Sequence, residues 1–333
     1  MNAPTKLALY GLALVTVFAV AGFTANAVVP EETVRNWSEE TTDHGQHGQG
    51  GDANAAGHGA PTGDAASLGL GLAQDGHQLT GVSAPQEPGI EGELTFAVST
   101  REGEPVTEFE LNHEKLMHLI AVRADGQHFR HVHPELDADG TWSIPWEWEE
   151  AGTYRIFADF VPSVAGEDMT LSTTVQVAGD YAAVPANEPV TETSAGGFDV
   201  SVRGDLVAGE PSELTVSVAR DGEPVTNLEP YLGAFGHLVA LRDGDLAYLH
   251  VHPYGTEPEA GQTAGPDIAF EATAPTEGRY LLYLDFQVDG QVHTAPLVID
   301  TTANPSQSPS EDGHSGDVSG TGDERQDGDD HDH

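Results

Sequence analysis

Apolar positions between residues 66 and 301 come in short runs, and none of these runs keeps a helical spacing. Leu94 to Ser99 and Leu214 to Val218 alternate apolar with polar side chains, which predicts strands covered on one face. Tyr154 to Phe160, Tyr280 to Phe286, Leu171 to Val177 and Ala295 to Ile299 are predicted as further strands, with Gly, Pro and Asp punctuating them. Trp142, Trp146 and Trp148 share one parity, as expected of rings packed on a strand face.

The chain repeats itself. GEPVT at 103–107 returns at 222–226, 119 residues later, and the same offset carries His118-Leu119 onto His237-Leu238. It also carries His131-Val132-His133-Pro134 onto His250-Val251-His252-Pro253. Further on, Ala151-Gly152-Thr153-Tyr154 with Ala158-Asp159-Phe160 matches Glu277-Gly278-Arg279-Tyr280 with Leu284-Asp285-Phe286 at an offset of 126, so the second copy has a longer loop after HVHP. Short strands at this spacing, in about 100 residues per copy, predict an all-β chain of two tandem immunoglobulin-like antiparallel β-sandwiches. The copies are placed at 66–180 and 190–301, with Pro185 to Pro189 as a linker.

Outside the copies the composition changes. Residues 7–29 are uncharged, with Lys6 before them and Glu31 and Glu32 after, an order that predicts an extracytoplasmic protein. Residues 1–30 read either as a signal peptide cleaved near Ala25-Asn26-Ala27 or as a retained hydrophobic helix anchoring the chain. Membrane contact is expected only through 7–29. Residues 31–65, rich in Gly, Ala, Asp and His, and the acidic 302–333 lack the apolar residues a core needs and are predicted to be disordered arms. The net charge of −43, with 12 basic residues against 55 acidic ones, argues against nucleic acid as a partner. With no cysteine, thiolate metal sites, disulfides and thiol catalysis are excluded, and 16 histidines remain as the nitrogen donors.

Six histidines fall into a pattern. If Asp125-Gly126 forms a two-residue hairpin loop, residues whose numbers sum to 251 face each other. His118 then lies opposite His133, and His131 points to the same side. Three imidazoles on one face can reach one metal ion. In copy two, Gly244-Asp245 in the same role places His237, His250 and His252 on one face. Each face also carries apolar residues (Ile120, Val122 and Phe129; Val239, Leu241 and Tyr248) and is read as the core face of its sandwich. His293 is the first choice for a fourth ligand in copy two. Asp159 and Asp285 are matched acids that either orient an imidazole or pair with Arg123 or Arg242. Imidazole suits copper and zinc, and Met169 favours copper. No paired general acid and base accompanies the motifs, so no enzyme is predicted.

The run NHEKLMHLIAVRADGQHFRHVHPELDADGTWSIPWEWEEAGTYRIFADF resembles a family of exported bacterial proteins labelled heavy-metal-binding or secreted. The family is similar in layout to small periplasmic copper-handling sandwiches. EPYLGAFGHLVALRDGDLAYLHVHPY resembles its second half. The resemblance covers about residues 66 to 300 and implies an anchored or secreted, copper-related protein, although the cysteine motif such labels refer to is absent. The resulting expectation is metal sequestration, delivery or resistance. Its partners would be metal ions and another metal-handling protein. A structural or adhesive pair of sandwiches without metal is the alternative, and a zinc hydrolase the weaker one.

Overall fold

The computed structural model describes residues 68–249, 251–259 and 261–302. The N-terminal hydrophobic segment, both arms and His250 lie outside the described residues. Among the described residues the regular structure is antiparallel β-strand, and no helix is long and apolar enough to cross a membrane.

Each copy is a two-sheet sandwich. In copy one, His77–Ser83, Gly92–Thr100 and Thr141–Trp146 are neighbours in one sheet. Met169–Val177, Gly152–Pro162, His118–Arg123 and Arg130–Val132 form the other. In copy two, Phe198–Arg203, Pro211–Arg220, Asp267–Thr273 and Val251–Pro253 form one sheet. Tyr248–Leu249, His237–Arg242, Arg279–Val288 and Gln291–Asp300 form the other. Both copies have a tyrosine corner: the Tyr154 hydroxyl donates to the Glu150 carbonyl and the Tyr280 hydroxyl to the Thr276 carbonyl, each at 2.9 Å. This brace is typical of immunoglobulin-like Greek-key sandwiches.

The expected core face requires correction. Leu119 and Ala121 point into sandwich one with Ile156, Ala158 and Phe160, while Leu238, Ala240, Leu282 and Leu284 point into sandwich two. The alternate residues on the same strands form a third apolar cluster: Ile120, Val122 and Phe157 from copy one pack on Val239, Leu241, Leu246, Tyr248, Leu281 and Tyr283 from copy two. The face that carries the histidines therefore lies between the two sandwiches, outside either core. Burying one such side chain contributes about 1.5–3 kcal/mol, so nine of them dock the copies without help from an ion.

Equivalent positions meet reciprocally across this face. Phe129 stacks on Tyr283 at 3.9 Å between ring centroids, and their counterparts Tyr248 and Phe157 lie 5.6 Å apart. Such swapped contacts are what a twofold interface produces.

The hairpin register matches expectation, but the turns do not. Leu119 pairs with Val132 and Ile120 with His131 in copy one; Leu241 pairs with Tyr248 in copy two. The copy-one turn, however, has three loop residues, with the Gly126 amide donating to the Arg123 carbonyl and the Arg123 amide to the Gln127 carbonyl. Left-handed His128 (φ 54°) then supplies an extra residue that restores the register. In copy two the loop runs from Asp243 to Leu246, closed by the Arg242 amide on the Ala247 carbonyl.

The copy-one turn seats on copy two, where the Tyr283 hydroxyl donates to the Gly126 carbonyl at 2.6 Å. A Cβ at Gly126, which has a φ of +80°, would lie 2.6 Å from Leu281 Cδ1. Gly103 shares a left-handed φ of +87° but faces open space. We expect Gly103→Ala to cost only the backbone strain, about 1 kcal/mol. Gly126→Ala should cost a further ~1–3 kcal/mol from overpacking against Leu281. Urea denaturation of the two variants side by side measures the difference; equal losses would show that the turn does not bear on the second sandwich.

Candidate metal centre

His118 opens the His118–Arg123 strand, lying opposite Asp159 on the neighbouring strand and on the same face as Ile120. His131 pairs with Ile120 across the hairpin, and His133 follows just beyond the strand end. The structure brings these three predicted residues together: their ligand nitrogens all lie within 4.8 Å of one another. Ring centroids are separated by 5.2 Å (His118–His131), 4.9 Å (His118–His133) and 5.1 Å (His131–His133).

Hydrogen bonds at the outer ring nitrogens assign the tautomers. His118 Nε2 donates to the Asn112 carbonyl at 2.9 Å, so with the ring neutral its Nδ1 carries a lone pair. His131 Nδ1 donates to Asp285 Oδ2 at 2.8 Å, so its Nε2 carries a lone pair. These two lone-pair nitrogens lie 3.0 Å apart, and His133 Nε2 lies 3.3 Å from His118 Nδ1. Metal–nitrogen bonds of about 2.0–2.1 Å at tetrahedral angles separate ligand nitrogens by about 3.3 Å. If both rings are neutral, His118 and His131 have no proton to share, and a cation between them satisfies both lone pairs.

The carboxylate that holds His131 comes from the other copy. Asp285 is buried at 2% exposure and takes a second hydrogen bond from Thr294. Its counterpart Asp159 accepts from Thr170 at 3.1 Å, and the Tyr248 hydroxyl of copy two reaches it at 3.5 Å. Of the two predicted roles for Asp285, the structure supports orienting an imidazole. Arg123 and Arg242 instead pair with Asp125 and Asp245 in their own turns.

Copy two does not repeat the arrangement among the described residues. His237 reproduces the anchoring of His118, with Nε2 donating to the Tyr231 carbonyl at 2.9 Å, but its ring faces the copy-one cluster, 6.5 Å from His131. His252 leaves the hairpin sheet because Val251–Pro253 pairs with Asp267–Thr273 in the opposite sheet, where His252 lies against Glu271 and is exposed. Its ring only borders the inter-copy cleft. His250 lies outside the described residues. His293 sits elsewhere, packed on Phe198 and Phe286 at 4.8 and 5.4 Å, because its strand places it beside Phe286 on copy two. It is not a fourth ligand to this group. Met169 is buried in sandwich one, so no thioether reaches the triad and the sulfur argument for copper falls away.

Burial, helped by the neighbouring His131 ring, pushes the pKa of His118 down to about 3 and that of His133 down to about 2. Burial and His131 likewise hold His237 at about 4. These imidazoles stay neutral well below the usual histidine range, as metal ligands must.

The profile of a family described as a domain of unknown function (DUF8832) matches residues 73–179 and again 192–303. No curated protein matches the sequence. Invasin, a bacterial integrin-binding protein, aligns at 14% identity over 69% of this chain with a TM-score of 0.22, and this chain spans only 39% of it. The adhesin InvE of Yersinia pseudotuberculosis aligns at 13% identity, covering 69% of this chain and 60% of its own, with a TM-score of 0.22. Fibronectin(III)-like modules of CbhA from Clostridium thermocellum align at 14% identity, covering 68% and 94%, with a TM-score of 0.18. Likeness at these scores carries no functional weight.

The histidine pKa values set a pH dependence. The unfolded chain takes up protons below about pH 6.5, whereas folded His118, His133 and His237 do not until about pH 2–4. Their contribution to stability is therefore complete above pH 6.5 and is lost as pH falls towards 4, by at most about 1.4 kcal/mol per pH unit for each buried ring. The melting temperature of the metal-free chain should fall between pH 7 and 5. The His118→Gln/His237→Gln variant, which removes two of the three groups, should show a shallower fall.

Proposed function

Since this chain belongs to the DUF8832 family and carries that domain twice, we propose that the tandem pair is a non-enzymatic, extracytoplasmic metal-binding protein holding one first-row transition-metal ion at His118, His131 and His133. The observation that carries the proposal is the 3.0 Å approach of His118 Nδ1 and His131 Nε2, each left with a lone pair by a hydrogen bond at its other nitrogen. Asp285 supports it, since a carboxylate behind a ligating imidazole fixes the tautomer and raises ligand basicity. An all-nitrogen donor set accepts copper or zinc, and the general affinity order places Cu²⁺ above Zn²⁺. The uncharged 7–29 segment between Lys6 and the acids at 31 and 32 supports the location outside the cytoplasm. The role is sequestration, delivery or resistance, with another metal-handling protein as the partner that gives or takes the ion.

A second reading, a structural or adhesive module that needs no metal, is favoured by the apolar cluster that docks the two sandwiches on its own. Thermal denaturation separates the two. On the metal reading, Zn²⁺ or Cu²⁺ at about 100 times its dissociation constant stabilises the chain by about 2.7 kcal/mol. The His131→Ala/His133→Ala variant loses most of that gain, and Asp285→Asn weakens binding about 10–100-fold. A wild-type chain whose melting is unmoved by either ion, or moved equally in the double variant, leaves the structural reading standing.

A further inference from the structure

Beside the triad lies a small inter-copy cleft of about 60 Å³, bordered by His113, His118, His131 and His237 together with Asp168. His113 has no histidine counterpart; the equivalent position in copy two is Leu232. Both residues sit in tight turns. Asn112 and Lys115 exchange backbone hydrogen bonds around His113-Glu114, as Tyr231 and Ala234 do around Leu232-Gly233. All four turn residues have positive φ, so the turn geometry is shared and the imidazole is peculiar to copy one.

His113 lies 5.2 Å from His237 between ring centroids. That matches the spacings within the triad, 4.9 to 5.2 Å, and is about the separation of two imidazoles sharing one ion at bond lengths of about 2.0–2.1 Å. The remaining spacings are longer: His113 to His118 is 6.2 Å and His131 to His237 is 6.5 Å. His113 and His237 thus form a pair of their own beside the triad. His237 is prepared as His118 is: both Nε2 contacts go to backbone carbonyls, Tyr231 at 2.9 Å and Leu232 at 3.1 Å, which leaves Nδ1 with the lone pair. Asp168, held by the Asn112 side chain at 2.9 Å, lines the same cleft and adds negative charge to it. A wider cleft of about 280 Å³ adjoins it, sharing His113 and His252 and bordered also by Glu257.

We infer that His113 of copy one and His237 of copy two hold a second divalent metal ion in the inter-copy cleft, whose wall Asp168 makes acidic. The site is distinct from the triad, although it rests on the reading of the protein as a metal binder. Two protein nitrogens make it the weaker position, and its place beside the wider cleft makes it the one from which an ion passes to or from the triad.

The test uses the full chain with Zn²⁺ alone, counting bound ions at equilibrium in the presence of a competing chromophoric chelator. Any ions taken up by the His-containing arms are common to every variant, so differences from the wild type are read. His113→Ala/His237→Gln should bind one ion fewer than the wild type while keeping the tighter equivalent that His131→Ala/His133→Ala loses. Glutamine at 237 retains an amide donor for the Tyr231 carbonyl, and His113→Ala alone, at an exposed turn position, gives the same readout with less risk to folding. It should weaken the lesser equivalent at least ten-fold. An unchanged count and unchanged affinities in both variants, with the triad variant still deficient, would overturn the second site and leave the first intact. If the triad variant also binds like the wild type, both sites fall.

Discussion

A β-strand that is apolar on both faces has to be covered twice, and the His118–Arg123 strand and its counterpart His237–Arg242 are such strands. One face is covered by the opposite sheet of the same sandwich. The other finds its cover in the equivalent strands of the second copy, so the duplication completes the burial that one copy alone leaves unfinished. The position of the histidines follows from this. His118, His131 and Asp285 sit on the covered outer face, where water is sparse and each polar atom needs a partner from the protein.

Scarcity of water explains why the histidine pattern has chemical content. On a solvated face, His118 and His133 would hydrogen-bond to water and titrate near their ordinary value. Here the Asn112 carbonyl and the Asp285 carboxylate take up the outer N–H groups, and the inner nitrogens converge on one another. The apolar cluster and the polar cluster depend on each other: Phe129 on Tyr283 and Leu281 against Gly126 hold the copies at the distance that lets Asp285 reach His131.

Much of this was legible in the sequence. Two-residue alternation and the 119-residue repeat gave the tandem sandwiches, and the pairing sum of 251 gave the register that unites His118, His131 and His133. The run HLIAVR also carries the sign of a second covered face: it lacks the polar alternation of a strand with one solvated face, and its second apolar face belongs to a neighbour. Asp159 and Asp285, single acids each set between apolar neighbours, signal a polar partner on that face. Strand patterns report which residues share a side and carry nothing about which copy supplies the partner, so the pairing of His131 with Asp285 could not be read. Copy two departs from the expected three-histidine face for a local reason. Its chain switches sheets at Val251, where pairing with Ala272 takes His252 away from the hairpin.

The swapped contacts across the interface have the form of a homodimer whose two subunits share one chain. A dimer of identical subunits must carry every change twice, once on each side of the axis. A chain that holds both halves is released from that symmetry, and here the halves have parted. One keeps the histidine that closes the triad and adds an imidazole at its turn; the other has turned the matching histidine outward, placed a leucine in the turn, and contributes the carboxylate. Covalent linkage also keeps the partners at a fixed, high effective concentration, so the shared site forms as readily in a dilute protein as in a concentrated one.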